Sequence, residues 1–378
     1  MENFFEDFRD NLLEQYDTCP AYKYLCDNQG FDPNIHLNKE EDMESVPFIA
    51  TTLFKKSAQM FTSLLRVPLE TIDKWTVSSS TSGDPSIVGR RKCDLMQMER
   101  FNELNRGIFQ PGSSQECVFY PEPEVMKSYK SEMIYGKRTE SYMGNLLDSF
   151  HFNEDAIFFV KQKGNELMVD LGEFKRVIKT NDGLSHHLSL RGSTPLIYNA
   201  VNELKDEMEP VKLGANVLVH TGGGGWDGKK GTITMDAAIQ RKDFVECVSQ
   251  FLGIPEENFI DSYSFTENSF PITGHYSPKY KDYLFHIPKW GQVIIRDIKT
   301  LKPLHNPGDI GFIQMLNAYG TSTFAGASII VDDIGQIVSM DECPDCKEKC
   351  MTIKIIGRVK GAEAKGCGAT LNVEGEKQ

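Results

Sequence analysis

Long apolar runs are missing from this 378-residue chain. No stretch approaches the ~20 residues that a membrane-spanning helix needs. The start, Met1-Glu2-Asn3-Phe4-Phe5-Glu6-Asp7, has neither the basic opening nor the apolar segment of a signal peptide, so a cytoplasmic location is expected. Positive charge is also short: 41 Lys and Arg stand against 54 Asp and Glu, for a formal net charge of −13. Affinity for a phosphate backbone or an anionic membrane surface needs a basic face, so neither is expected as a general partner. The acidic residues are spread along the chain, which excludes an acidic tail. Nine cysteines is an odd number with uneven spacing. In a reducing compartment that pattern points to metal binding or thiol chemistry rather than a disulfide framework.

The composition that is present is ordinary for a globular protein. Strand-like runs (117–120, 156–160, 216–219) alternate with helical stretches near 123–150, 168–180 and 195–208, which predicts an α/β fold with parallel sheets covered by helices. Phe4, Phe5, Phe8, Leu12, Leu13 and Tyr16 recur at helical spacing, with Cys19 and Cys26 as small core fillers. The segment 286–340 reads as a smaller antiparallel β subdomain. The expected organisation is a core over 1–340, divided into a helical start (1–60), α/β sheets (61–285) and the β subdomain (286–340), followed by a cysteine-containing hinge and short tail (341–378).

The stretch Ser78-Ser79-Ser80-Thr81-Ser82-Gly83-Asp84-Pro85-Ser86 follows the strand-like Trp75-Thr76-Val77, and six of its nine residues are Ser or Thr. Hydroxyl donors and a glycine suit a loop wrapped around phosphate oxygens. A solvated linker has similar composition, but linkers join domains, and this segment lies between a strand and a helix expected near Leu95.

Further on, Val217-Leu218-Val219-His220 runs into Thr221-Gly222-Gly223-Gly224-Gly225-Trp226. Consecutive glycines after a buried strand cost conformational entropy. A tight turn with a flat ligand against its backbone accounts for them, and a purely structural turn is the alternative. Phe259-Ile260-Asp261-Ser262-Tyr263-Ser264-Phe265-Thr266-Glu267 ends a strand in polar groups. Tyr263 can stack on a planar base, and the Glu267 carboxylate suits Mg²⁺ together with phosphate oxygens. Asp332 and Asp333, in Ser328-Ile329-Ile330-Val331-Asp332-Asp333-Ile334-Gly335, are read as a strand end able to bind ribose hydroxyls. Cys343, Cys346 and Cys350 have zinc-knuckle spacing, with Cys367 or a histidine such as His305 as the fourth ligand of a structural Zn²⁺. Cys367 is flanked by glycines and preceded by Arg358, Lys360 and Lys365, and nearby cations enrich the thiolate.

The order of these segments resembles the adenylate-forming superfamily, which activates carboxylates with ATP. The 78–86 loop resembles its phosphate loop, Gly222–Gly225 its adenine-side glycine turn, Tyr263 with Thr266-Glu267 its aromatic-then-Thr-Glu motif, Asp332 or Asp333 its ribose aspartate, and Gly357-Arg358 its hinge. The nearest resemblance is to the acyl-protein synthetases (LuxE-type). It rests on Val46-Pro47-Phe48 through Phe54-Lys55, Gly192-Ser193-Pro195, Val331-Asp332-Asp333-Ile334-Gly335 and Lys365-Gly366-Cys367. Phenylacetate–CoA ligases, some with a zinc-binding stretch before the Gly-Arg motif, are a second relative.

The resemblance implies the large N-terminal-type domain of that fold with its C-terminal lobe truncated. It implies ATP with Mg²⁺ as cofactors, phosphates on Ser79, Ser80, Thr81, Ser82 and Gly83, and adenine against Gly223, Gly224, Gly225 and Tyr263. Ribose would lie on Asp333 or Asp332, the metal on Glu267 beside Thr266, and Arg358 at the hinge. The implied reaction joins a fatty or related carboxylic acid to AMP. The acyl group then passes to Cys367 as a thioester, and on to an acyl reductase or an acyl-carrier protein. A CoA or carrier-protein ligase and a non-catalytic zinc-containing interaction protein are the alternatives. The family's usual loop lysine is replaced by Pro85-Ser86, which shifts charge neutralisation onto the metal, hydroxyls and amides.

Overall fold

The computed structural model describes residues 3–78, 84–105, 114–164, 166–222, 224, 226, 229–230, 233–234 and 238–358. Two helices open the chain, α1 (Phe4–Thr18) and α2 (Pro20–Asn28). Phe5, Phe8, Leu12 and Tyr16 of α1 are buried, as their spacing predicts, and Cys19 and Cys26 are buried between and behind them. The polar face of α1 grips residues 317–327. Asn11 Nδ2 donates to the Asn317 carbonyl at 2.7 Å, and Gln15 Oε1 accepts from the Ala327 amide at 2.9 Å.

Next come β1 (Ile49–Ala50), a single 3₁₀ turn over Thr51–Phe54, and the hairpin β2 (Lys74–Val77) and β3 (Ile87–Arg90). Ala50 stands at the N-cap of that turn, and no side chain caps it. Helix α3 (Lys92–Leu104) leads to β4 (Gln115–Phe119). The helical stretch expected near 123–150 consists of two short helices, Pro123–Ser128 and α4 (Tyr142–Asp148), separated by β5 (Lys137–Ser141). The polar Lys137-Arg138-Thr139-Glu140 run pairs alongside β2, and Ser141 then caps α4 by accepting from the Gly144 amide at 2.9 Å.

The large sheet is built on β4, β6 (Ile157–Phe158), β7 (Leu188–Gly192), β8 (Val217–Gly222) and β9 (Phe259–Tyr263), which run parallel. Between them the chain passes through α5 (Leu171–Asn181), α6 (Thr194–Lys205) and α7 (Arg241–Leu252). Both sheet faces are covered. Cys117 and Phe119 of β4 join the core that contains Phe174, Val201 and Phe244 of these helices. The alternate residue Val118 joins Met98 of α3 and Leu146 of α4 in a second cluster. This is the burial expected of a parallel sheet.

The sheet continues antiparallel through β10 (Ile272–Ser277), β11 (Asp282–His286), β12 (Gln292–Arg296), β13 (Ile310–Leu316), β14 (Ser328–Ser339) and β15 (Thr352–Arg358). Hydrogen bonding links β9–β10–β11–β15–β14–β13–β12 in that spatial order, so the antiparallel portion is continuous with the parallel one. Among the described residues no helix is long and apolar enough to cross a membrane.

Candidate active site

The Ser/Thr loop is the tip of the β2–β3 hairpin. Its residues Ser79, Ser80, Thr81, Ser82 and Gly83 lie outside the described residues, but its neck is defined. The Ser78 amide donates to the Ser86 carbonyl at 3.0 Å, and the Ser86 amide donates to Ser78 Oγ at 2.9 Å. A strand, not a helix, therefore follows the loop, and α3 begins only at Lys92. The exit is braced by the segment after the 3₁₀ turn. Asp84 accepts from the Ser57 amide at 2.9 Å and from Ser57 Oγ at 2.5 Å, and the Lys56 amide donates to the Pro85 carbonyl at 2.9 Å.

Thr266 and Glu267 are buried directly beyond β9. Burial raises the Glu267 carboxyl above its ordinary value, while a hydrogen bond from Ser86 and the charge of Lys55 pull the other way. Ser86, at the loop's exit, and Glu267 are thus neighbours. A buried carboxylate with a raised pKa wants a cation, and a carboxylate is the hard oxygen donor that Mg²⁺ takes together with phosphate oxygens. Glu267 therefore fits the metal role. Lys55 was legible only as part of a family-like segment. Its charge acts on both Glu267 and Asp84, so this segment supplies a cation to a site whose loop lacks one.

Arg90 was not singled out by sequence. Its side chain is fully buried, and Nη2 donates to the Thr266 carbonyl at 2.7 Å and the Asn268 carbonyl at 3.2 Å, while Nη1 donates to the Gly320 carbonyl at 3.3 Å. One guanidinium at the end of β3 thereby fastens the backbone on either side of Glu267 to the β2–β3 hairpin.

Gly224 has φ +73°, a left-handed conformation that suits glycine, and Gly223 and Gly225 lie outside the described residues. The turn is tied to β9 through buried Asp261, whose carboxylate accepts from Thr221 Oγ1 at 2.8 Å and Trp226 Nε1 at 3.1 Å. Tyr263 donates its hydroxyl to Asp333 Oδ2 at 2.6 Å. Asp332 and Asp333 are not at a strand end: they lie in the middle of β14, just before a register shift at Ile334/Gly335. Gly335 is a packing residue. A Cβ there would stand 2.9 Å from Ile295 Cδ1 and Ile313 Cγ1. Asp333 pairs across the sheet with Arg358, the last described residue. Cys367 lies beyond it, outside the described residues.

Between these elements opens an apolar pocket. It is lined by Met143, Leu146 and Leu147 of α4 with Phe150 and Phe152, and by Gly192, Gly222 and Ser264. Arg191 faces it, stacked 5.2 Å from the Phe150 ring centroid and 5.7 Å from that of Phe152. This arginine is 3.7 Å from the fully buried Glu116, so its charge is matched inside the protein. His220 hydrogen-bonds Ser262 Oγ at 2.8 Å, and burial together with Arg191 holds its pKa well below the usual imidazole value.

The expected cysteine trio is rearranged. Donor atoms of His275, His286, Cys343 and Cys346 lie within 4.8 Å of one another, and Cys350 is outside this group. His305 is elsewhere, 3.6 Å from Glu44, and cannot be the fourth ligand.

Three comparisons bear on this geometry. The chain resembles a solved 2-hydroxyisobutyryl-CoA ligase in an open conformation in complex with 2-HIB-AMP and CoA, at 13% identity and TM-score 0.63, covering 94% of this chain and 74% of that one. The same ligase in the thioesterification state matches at 14% identity and TM-score 0.63, covering 94% and 67%. These likenesses establish the adenylate-forming ligase fold. A search of curated proteins gave no match. Residues 2–374 match the family described as "Acyl-protein synthetase, LuxE". The chain belongs to this acyl-protein synthetase family of AMP-forming ligases, which activate an acyl group with ATP through an adenylate.

Proposed function

We propose that the protein adenylates a fatty or related carboxylic acid and transfers the acyl group to Cys367 as a thioester, for delivery to an acyl reductase. The observation that carries this reading is the placement of the apolar pocket. Its lining includes Gly222, at the glycine turn, and Ser264, in the Tyr263–Glu267 segment. An acyl chain among Met143, Leu146 and Leu147 would thus present its carboxylate where the nucleotide elements meet. The Arg191 charge is already matched by Glu116, so the wall suits an uncharged chain rather than a second carboxylate.

In the first half-reaction a carboxylate oxygen forms a bond to the α-phosphorus of ATP, and the bond to the departing pyrophosphate breaks. Mg²⁺, when bound, offsets phosphate charge, and Glu267 would hold it. The chain's own residues position the groups and neutralise charge. Arg90 fixes the backbone around Glu267, Lys55 adds positive charge, and Ser78 and Ser86 close the neck of the phosphate loop. Tyr263 and Asp333 would take adenine and ribose. In the second half-reaction the Cys367 thiolate attacks the acyl carbon, a C–S bond forms, the acyl–phosphate C–O bond breaks and AMP leaves.

Incubation with ATP and labelled fatty acid is expected to leave a hydroxylamine-sensitive label on the protein. Cys367→Ser should abolish the label while acid-dependent pyrophosphate exchange persists. A label retained in that variant refutes the Cys367 assignment, and product formed only when CoA is added moves the acceptor to CoA.

A further inference from the structure

The four-donor cluster is built by two separate pieces of chain. β10 and β11 form an antiparallel hairpin in which Thr273 pairs with His286 and His275 with Leu284. His275 lies two residues from Thr273, so side-chain alternation puts His275 and His286 diagonally on one face. Their ring centroids are 5.0 Å apart. Cys343 and Cys346 come from the connection 340–351 between β14 and β15, where the Cys343 amide donates to the Glu348 carbonyl at 2.8 Å and the Lys347 amide to the Cys343 carbonyl at 3.1 Å. This folds the C-x₂-C segment into a tight knuckle against the hairpin, with Cys343 fully buried.

We propose that His275, His286, Cys343 and Cys346 bind one structural Zn²⁺ that staples the 340–351 connection to the β10–β11 hairpin. Two thiolates and two imidazoles are a closed tetrahedral donor set for zinc. With Zn–N near 2.0–2.1 Å and Zn–S near 2.3 Å, tetrahedral donors stand about 3.3–3.8 Å apart. Cys346 Sγ and His286 Nε2 are already 3.5 Å apart, and no pair in the set exceeds 4.8 Å. Asp345, between the two cysteines, stands 3.1 Å from His275 Nε2, and a carboxylate on a ligating imidazole is the usual device for orienting the ring.

The position gives the metal a purpose. The Ile287 amide donates to the Met351 carbonyl at 3.0 Å, and β15 starts one residue later, pairing with β11 at His286↔Thr352 and Phe285↔Ile353. β15 then runs to Arg358 opposite Asp333. The staple therefore sets where the strand that runs to the Asp333 side, and on in sequence toward Cys367, begins. The inference stands independently of the acyl acceptor, because it rests on the cluster alone.

The test is metal analysis of the full-length protein purified under reducing conditions, with about one zinc per chain expected. Cys346 is exposed, so Cys346→Ser is the variant least apt to disturb folding. Cys346→Ser and His286→Gln should each lose most of the zinc, and Cys93→Ser, at an exposed cysteine elsewhere, should retain it. Chelation should lower the unfolding midpoint of the wild type and leave Cys346→Ser unchanged. Co²⁺-substituted wild type should give intense tetrahedral, thiolate-ligated absorption. Zinc neither present on purification nor retained after incubation with Zn²⁺ overturns the proposal, as does a weak octahedral Co²⁺ spectrum. Zinc lost from Cys350→Ser but kept in His286→Gln overturns the ligand set.

Discussion

Arg90→Lys isolates the link between the phosphate hairpin and the Glu267 segment. Lysine keeps the charge but presents one ammonium in place of a planar fork. It can serve the Thr266 carbonyl, which is 2.7 Å from Nη2, and must abandon the Asn268 and Gly320 carbonyls at 3.2 and 3.3 Å. A buried carbonyl left without a donor costs about 1–3 kcal/mol, and two long bonds belong at the lower end, for about 2–3 kcal/mol in all. An unfolding entropy of about 2.1 cal/mol/K per residue makes 1 kcal/mol worth a little over 1 °C in a chain of this size, so the midpoint should fall by about 3–4 °C. Arg176→Gln is the control. It removes an exposed i,i+3 pair with Glu173, and its midpoint should stay within about 1 °C of wild type.

The functional effect should exceed the stability effect. Loosening the backbone on both sides of Glu267 displaces a charge-bearing group at the reacting end of the site, and misplacement by about 1 Å can cost a hundredfold. Pyrophosphate exchange, followed well below the variant's midpoint, should fall about 10–100-fold, with the loss in rate rather than in the acid's apparent affinity. A midpoint within about 1 °C of wild type together with exchange within about twofold would refute the role assigned to Arg90.

Two other perturbations test the site. Gly192→Ala would put a Cβ 2.5 Å from Phe119 Cβ across the β4–β7 pairing, and overpacking of this kind costs about 1–3 kcal/mol. Thermal unfolding should show the loss, and because Gly192 also lines the pocket, the acid's KM should rise; an unchanged midpoint would mean the strands part freely there. Glu267→Gln should stabilise the nucleotide-free protein at pH 8 while abolishing exchange. A carboxyl whose folded pKa is raised contributes stability that is fully present below its unfolded value and is lost as pH rises through the folded value. The amide removes that loss, so the advantage should shrink on acidification; a midpoint difference that does not vary with pH would defeat the argument.

What could be read in the sequence was local, and what could not was carried through space. The Ser/Thr loop, the glycine turn and Thr266-Glu267 each sit within a few residues, so their composition declares them. Arg90 follows Ile87-Val88-Gly89 and looks like the end of an apolar strand, and its partners lie 176 and 178 residues away. Arg191 precedes Gly192-Ser193 in a segment with no apolar neighbour after it, yet its side chain lines the pocket. The cysteine knuckle was legible from spacing, but its histidines become neighbours only through the register of the β10–β11 hairpin.

The Tyr263–Asp333 bond shows how pieces read separately constrain one another. The ring and the carboxylate were assigned to adenine and ribose as independent contacts, yet they are joined at 2.6 Å. A carboxylate has about four lone-pair sites. Asp333 can thus keep the tyrosine hydroxyl and still accept from ribose hydroxyls, and the retained bond would hold the ring at a set angle to the base. The proposed sugar and base contacts would then form one rigid unit. Because Asp333 also pairs across the sheet with Arg358, displacement of β15 would be felt at the nucleotide before it reached the tail that carries Cys367.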